Sequence, residues 1–261
     1  MKTLSDIGAF LLDMDGTFYL GNRLIEGSLD FIEAVTRSGR DYLFLTNNSS
    51  HNADFYVKKL SRMGLEVPKS KILTSGQATA MKCSALYAGK KAFVLGNEYL
   101  IDELKEGGIP VDQENPDYVI IGYDTSLTYK SMTAVCDFVR AGLPYVATHP
   151  DFNCPTETGF APDIGAIMAL INASTGRMPD LIIGKPHAGI VEAALSRTGE
   201  PARRLAMVGD RLYTDIETGL RHGMTSILVM SGETTPDMLR ESPTVPDLVY
   251  GRLSDMIPEL I

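Results

Sequence analysis

Two aspartates one residue apart, Asp13 and Asp15, close the apolar run Phe10-Leu-Leu and are followed at once by Gly16. Carboxylates at i and i+2 past a strand can lie on one side of it, and two so close repel unless a cation or a shared proton intervenes. The pair therefore points to a hard divalent metal with oxygen ligands, to acid and base work, or to both. Gly16 lets the backbone turn sharply and leaves amides to face an anion. A turn that uses Asp and Gly only for their conformational tolerance remains the plain alternative. A calcium loop counted from Asp13 needs glycine where Phe18 stands and glutamate where Leu24 stands, so that reading fails.

Three more apolar runs end in chemistry of the same kind. Leu43-Phe-Leu-Thr-Asn-Asn-Ser-Ser ends in hydroxyls and amides, suited to phosphate oxygens through Thr46 and the backbone amides near Asn47 and Asn48; capping of the next helix is the other reading. Lys185, in Leu181-Ile-Ile-Gly-Lys-Pro-His, places an ammonium where it can neutralise a phosphate or an aspartyl group, unless it is simply solvated. It is no P-loop lysine, because no Ser or Thr follows it. Leu205-Ala-Met-Val-Gly ends in Asp210, a good metal ligand, with Asp215 placed for a supporting role in the next helical turn.

The elements that must position these residues alternate short apolar strands with amphipathic helices, the pattern of βαβ units and a parallel sheet. The clearest strands are Ile7 to Leu12, Tyr42 to Leu45, Ala92 to Leu95, Tyr118 to Ile121, Tyr145 to Ala147, Leu181 to Ile183, Leu205 to Val208, Ser226 to Val229 and Asp247 to Val249. Helical patterns include Asn52 to Met63, Tyr129 to Ala141, Asp163 to Thr175 and His187 to Arg197. Gly21-Asn22, between apolar residues, suits a two-residue hairpin turn beside the aspartates. In the helix from Asp163, the spacing of Ile164, Ile167, Met168 and Ile171 predicts a core face rather than a ligand groove.

Composition narrows the partners. The 261 residues are 44% hydrophobic, enough for one large domain or two ordinary ones, each with its own core. With 33 acidic against 24 basic residues, a formal charge of -9 and no dense basic run, neither nucleic acid nor an anionic membrane is an expected partner. No apolar run reaches the roughly 18 residues of a membrane span, and the opening residues run into a strand without a signal-peptide core, so the chain reads as cytoplasmic. Cys83, Cys136 and Cys154 fit neither a disulfide framework nor a CxxC site and read as reduced thiols.

Taken in chain order, DxD, Thr, Lys and GD with a second Asp resemble the four motifs of the haloacid dehalogenase-like hydrolases. The segments LDMDGTFY, LTNNSS, GKP and MVGDRLYTDI look like the branch that contains NagD-type and 4-nitrophenylphosphatase-like phosphatases. The resemblance implies a Rossmann-like, doubly wound α/β core over residues 1–76 and 181–261 with an α/β cap over 77–180. It implies a phosphatase acting on small phosphate monoesters such as sugar phosphates, nucleoside monophosphates or pyridoxal phosphate. Asp13 would be the nucleophile that forms an aspartyl phosphate, and Asp15 the acid and base. Mg²⁺ would be held by the Asp13 carboxylate, the Asp15 carbonyl and Asp210, with Thr46 and Lys185 sharing the phosphate charge. Two cap loops would meet the leaving group through Tyr123, His149, Asp151 and Cys154. A metal cluster or a Cys-His nucleophile built from His149, Asp151 and Cys154 is disfavoured, since all three sit in one short loop. Asp163 departs from the family, many of whose members carry glycine there. An exposed edge of the cap sheet can pair two chains as a homodimer. The alternative of another class is a noncatalytic phosphoacceptor of the receiver kind, which needs neither Asp15 nor so long an insert.

Overall fold

The computed structural model describes residues 2–156 and 159–260. The chain divides into two compact units, Met1–Thr46 with Tyr56–Leu73 and Val191–Ile261, and Asn47–Phe55 with Thr74–Ile190. The stretch 77–180, expected as an insert, lies within the second unit, which also takes in the segment 47–55.

In the first unit the strands are β1 (Ala9–Leu12), β2 (Tyr19–Leu20), β3 (Arg23–Leu24), β4 (Asp41–Thr46), β5 (Ile72–Thr74), β12 (Leu205–Gly209), β13 (Thr225–Val229) and β14 (Leu248–Tyr250). Six of them form one sheet in the order β14-β13-β12-β1-β4-β5. β1 pairs in parallel with both β12 and β4, and the β12–β13 and β13–β14 pairs are parallel too. Every residue of β1, β12 and β13 is buried, which is why these strands read as unbroken apolar runs rather than alternating ones. The chain winds one way from β1 to β4 and β5 and the other way to β12, so β1 marks the switch point where open parallel sheets bind ligands at their carboxyl ends. Asp13, Thr46 and Asp210 thus end three adjacent strands at one sheet edge. β2 and β3 form the expected hairpin, with Gly21 at φ 59° in its two-residue turn.

The second unit contains β6 (Ala92–Leu95), β7 (Tyr118–Ile121), β8 (Tyr145–Ala147), β9 (Asn153–Thr156), β10 (Gly159–Pro162) and β11 (Leu181–Ile182). A parallel sheet in the order β11-β8-β7-β6 packs Phe93, Leu95, Val119 and Ile121 against the helix Tyr129–Arg140 and the helix Ile164–Thr175. The anticipated stripe Ile164, Ile167, Met168 and Ile171 is buried in that core. Asp163 caps this helix with its side chain, and Gly176, left-handed at φ 73°, ends it.

The nine anticipated strands fall within one or two residues of those observed. Two features were not anticipated. β5 is three residues long, too short to show a period, and the antiparallel pair β9–β10 carries Pro155 and Pro162, residues that argue against a strand in sequence. This ribbon carries exposed residues such as Phe160, where a proline costs no central ladder bond.

The segment 47–55 is tied into the second unit by Glu103, a buried carboxylate that accepts from the Ala53 amide at 2.9 Å and the Thr74 hydroxyl at 2.6 Å. Removing it strands two buried donors. Glu103→Ala should cost about 2 kcal/mol of stability in urea denaturation, and Glu103→Gln, which keeps one acceptor, less.

Candidate active site

In the first unit the turn after β1 is built by its own backbone. The Asp13 amide donates to Val208 O at 2.9 Å, which continues the β1–β12 ladder, and the Phe18 amide turns back to Met14 O at 2.9 Å. Gly16 sits at φ 90° with its carbonyl held by the Ser231 hydroxyl at 2.8 Å. A side chain there would collide with the Asp210 carboxylate, so both the turn and the close approach require glycine.

Asp13, Asp210 and Asp215 each offer a carboxylate oxygen, and those oxygens lie within 4.8 Å of one another. Asp210 and Asp215 are almost wholly buried. Asp210 accepts from the Glu233 amide at 2.6 Å and weakly from the Thr17 hydroxyl at 3.3 Å, while Asp215 accepts from the Arg211 amide at 3.1 Å. These bonds do not offset the crowding: burial first, then the charges of Asp13 and Asp215, push the Asp210 carboxyl up to about 7. An all-oxygen donor set that repels itself, two of its three carboxylates buried, fits a hard divalent cation.

Asp15 is raised from the ordinary carboxyl value by burial, with Asp13 adding to the rise and Lys59 drawing it back. Lys59, on the helix Ala53–Arg62, lies 3.9 Å over the Tyr19 ring. Arg211 is the other cation of this region. Burial opposes its charge, but Asp13, Tyr213, Asp210 and Asp215 together hold it firmly protonated. Its Nε stands 3.0 Å from Glu233 Oε2 as an ion pair, without the alignment of a hydrogen bond. Neither cation was among the sequence candidates. Arg211 had a visible signal, since it directly follows Asp210; Lys59, on a helix pattern with a second lysine beside it, had none.

In the second unit lie the remaining candidates, most of them held by hydrogen bonds around Asn47 or around His149. The Asn47 Oδ1 accepts from the Lys185 amide at 2.8 Å, and its Nδ2 donates to Lys185 O at 3.0 Å and to the Asp151 carboxylate at 3.1 and 3.2 Å. Asn48 Oδ1 accepts from the amide and hydroxyl of Ser50, closing a local turn. Lys185 is buried. Tyr123 is nearly buried and its hydroxyl pKa is pushed up to about 12 by burial, then by Cys154 and Asp163. Cys154 and Asp151 are half-buried.

His149 differs from the expectation that placed it against a leaving group. It is fully enclosed, with Nε2 3.1 Å from Asp163 Oδ1 and Nδ1 3.0 Å from the Thr148 hydroxyl, which in turn donates to the Ser49 hydroxyl at 3.0 Å. Ser49 also accepts from the Tyr123 amide at 2.9 Å. An imidazolium that donates from both nitrogens satisfies this chain in one direction. Asp163 is thus the partner of a buried histidine. The near neighbours with donor atoms within 4.8 Å are His149, Asp151 and Asp163, so Cys154 is not part of that cluster.

Residues 10–110 match a family model for haloacid dehalogenase-like hydrolases, and residues 182–256 match a HAD-hydrolase-like model. An acid sugar phosphatase of Staphylococcus haemolyticus is 36% identical over 252 residues, 96% of this chain and 95% of that protein. The crystal structure of a 4-nitrophenylphosphatase from Thermotoga maritima superposes with a TM-score of 0.97 at 45% identity, covering 100% of both chains. The chain belongs to the haloacid dehalogenase-like hydrolases. NagD from Escherichia coli K-12, at a TM-score of 0.88 and 33% identity over 95% of this chain and 98% of that one, places the hydrolase in the NagD-like branch. Membership sets aside the noncatalytic phosphoacceptor. Among the described residues of the hydrolase, no helix is long and apolar enough to cross a membrane.

The His149–Asp163 pair makes stability depend on pH. Burial works against the imidazolium, but the charge of Asp163, the hydrogen bond to it and the charge of Asp151 outweigh both burial and Lys185, so the pKa lies above the ordinary 6.5. A raised folded value means that this stabilisation is full below 6.5 and is lost as pH rises through the folded pKa. Asp210, also raised, loses stabilisation in the same direction between 3.8 and about 7, so the comparison of variants isolates the histidine. Urea denaturation at stepped pH should show wild-type stability falling above neutrality relative to His149→Asn; parallel curves for the two proteins would remove the pair from the account.

Proposed function

We propose that this enzyme, a phosphoric monoester hydrolase by class, is a divalent-metal-dependent phosphatase acting on small phosphate esters, sugar phosphates first among them. The observation that carries the reading is the set of three crowded carboxylates, Asp13, Asp210 and Asp215, at the carboxyl edge of β1 and β12. The donor set suits Mg²⁺, with Asp13, the Asp15 carbonyl and Asp210 as ligands and Asp215 in support. When bound, the cation supplies neutralisation of the charge that gathers on the phosphoryl oxygens.

The chain's own residues divide the remaining work. Asp13 attacks phosphorus and carries the phosphoryl group as an aspartyl ester, which splits one difficult displacement into two easier ones. Asp15 gives its proton to the departing alkoxide and then takes one from the attacking water, a cycle favoured by the raised affinity for protons that burial gives it. Thr46 and the amides around Gly16, Asn47 and Asn48 hold phosphate oxygens, and Lys185 takes its role from the order of the motifs along the chain. Selection of the leaving group falls to the second unit, 77–180 at its centre, through Tyr123, Asp151 and Cys154, with His149 acting through the loop it holds. Relatives that bear the name acid sugar phosphatase support putting sugar phosphates first.

Purified protein should hydrolyse sugar phosphates and 4-nitrophenyl phosphate with Mg²⁺ and lose turnover in excess EDTA; full activity in chelator, or none with any ester, would sink the reading. Asp13→Asn should remove activity toward every substrate. Asp15→Asn should slow sugar phosphates by about 100-fold or more while slowing the nitrophenyl ester far less, because nitrophenolate leaves without a proton. Equal losses on both would show that Asp15 is not the acid.

A further inference from the structure

The chain approaching Lys185 is held first by a ladder and then by a side chain. After β11, the Ile183 amide donates to Ala147 O at 3.1 Å and the Gly184 amide to Thr148 O at 2.7 Å. Where those partners end, the Lys185 amide and carbonyl both pair with the Asn47 carboxamide, at 2.8 and 3.0 Å. Asn47 therefore serves as the next rung of the ladder. Its second Nδ2 hydrogen is shared between the two oxygens of Asp151, at 3.1 and 3.2 Å. Both amide hydrogens are spent, and a flipped amide would face an N–H donor with an N–H donor. Asn47 is itself buried, and its backbone carbonyl accepts from the Ser75 hydroxyl. Gly184 makes room for this: a Cβ there would lie 2.6 Å from Asn47 Oδ1, 2.6 Å from the His149 Cβ and 2.8 Å from Thr148 O.

We infer that the Asn47 side chain is a positioning residue rather than a phosphate ligand, fixing the Lys185 backbone and the Asp151 carboxylate from one carboxamide. Its side chain has no hydrogen left to donate to a substrate oxygen. The inference rests on the proposed phosphate role of Lys185 for its catalytic consequence, but the clamp itself stands on the four hydrogen-bond distances. An amide set loose frees the Lys185 segment to shift, and displacements of about 1 Å can cost about 100-fold in rate. The Asp151 carboxylate would also lose a neutral donor that holds it beside His149.

The same unit offers a control. Gln113 pairs its carboxamide with both backbone groups of Val94, at 3.0 Å each, on β6, which bears none of the proposed residues. Asn47→Ala should lower kcat about 100-fold, weaken inhibition by inorganic phosphate at least about tenfold, and speed hydrogen exchange of the Lys185 amide at least about tenfold, since each readout follows loss of a hydrogen bond that fixes the group. Gln113→Ala should speed exchange at Val94 and lower Tm while leaving kcat, KM and phosphate inhibition within about twofold of wild type. Asn47→Asp sets a carboxylate against both Asp151 and the Lys185 carbonyl, and the double variant Asn47→Asp with Asp151→Asn, which restores a donor facing an acceptor at the first contact only, should recover part of the lost rate, about tenfold. Unchanged Lys185 exchange in Asn47→Ala overturns the clamp. Faster exchange with kcat and phosphate inhibition at wild-type values, losses matched by Gln113→Ala, or a double variant no better than Asn47→Asp overturns the positioning role. If wild-type protein hydrolyses no ester, the functional reading falls, and the Lys185 exchange rates still decide whether the clamp exists.

Discussion

Repulsion among buried carboxylates at one sheet edge governs the first unit. Parallel pairing of β1 with β12 brings Asp13 and Asp210 to neighbouring strand ends, and burial strips away the water that would otherwise screen them. Local features answer that crowding: Gly16 and its positive φ make room for the Asp210 carboxylate, the Glu233 amide and Thr17 hydroxyl bond to it, and Arg211 stays charged beside it. Asp210 is still driven toward its protonated form, so the cluster is incomplete as a set of anions. A set of carboxylates that destabilises its own charges in this way suits a cation.

The second unit solves a different problem by different means. Its polar residues lie in a chain of neutral hydroxyls and amides running from Tyr123 through Ser49 and Thr148, with one ionic pair, His149 and Asp163, at the end. Each member satisfies its neighbour, as buried polar groups must. The loop after β4 joins this network through Asn47 and Ser49, which explains why residues 47–55 belong to the second unit although they follow directly on a strand of the first. Here the side chains act as scaffold for backbone groups, while Asp151 and Cys154 stay half-buried.

Much of this was legible in the residues themselves. Unbroken apolar runs ending in Asp, Thr and Asp announced buried parallel strands with chemistry at their carboxyl ends, because a strand covered on both faces has no reason to alternate. The DxD spacing and the glycine after it already required a cation or a shared proton, since local repulsion needs only two positions in sequence. The helical spacing of Ile164, Ile167, Met168 and Ile171 declared a core face for the same reason: a helix periodicity is local.

What the sequence left open depends on which distant segments meet. Nothing in the order of residues says that Lys59 faces Tyr19 and Asp15, that Asp163 pairs with His149, or that an asparagine thought to lie along a phosphate spends its amide on Lys185. Each is a pairwise arrangement fixed by packing of separate elements. Polar side chains look alike in sequence whether they meet a ligand or a backbone; only burial and the count of available hydrogens separate the two. The sequence by itself therefore determined the α/β class, the buried strands and the acidic and polar residues at their ends, because those follow from residue type and local spacing. Tertiary structure alone decided which polar residues bond to one another and to the backbone, because hydrogen-bonding capacity is finite and the fold decides where it is spent.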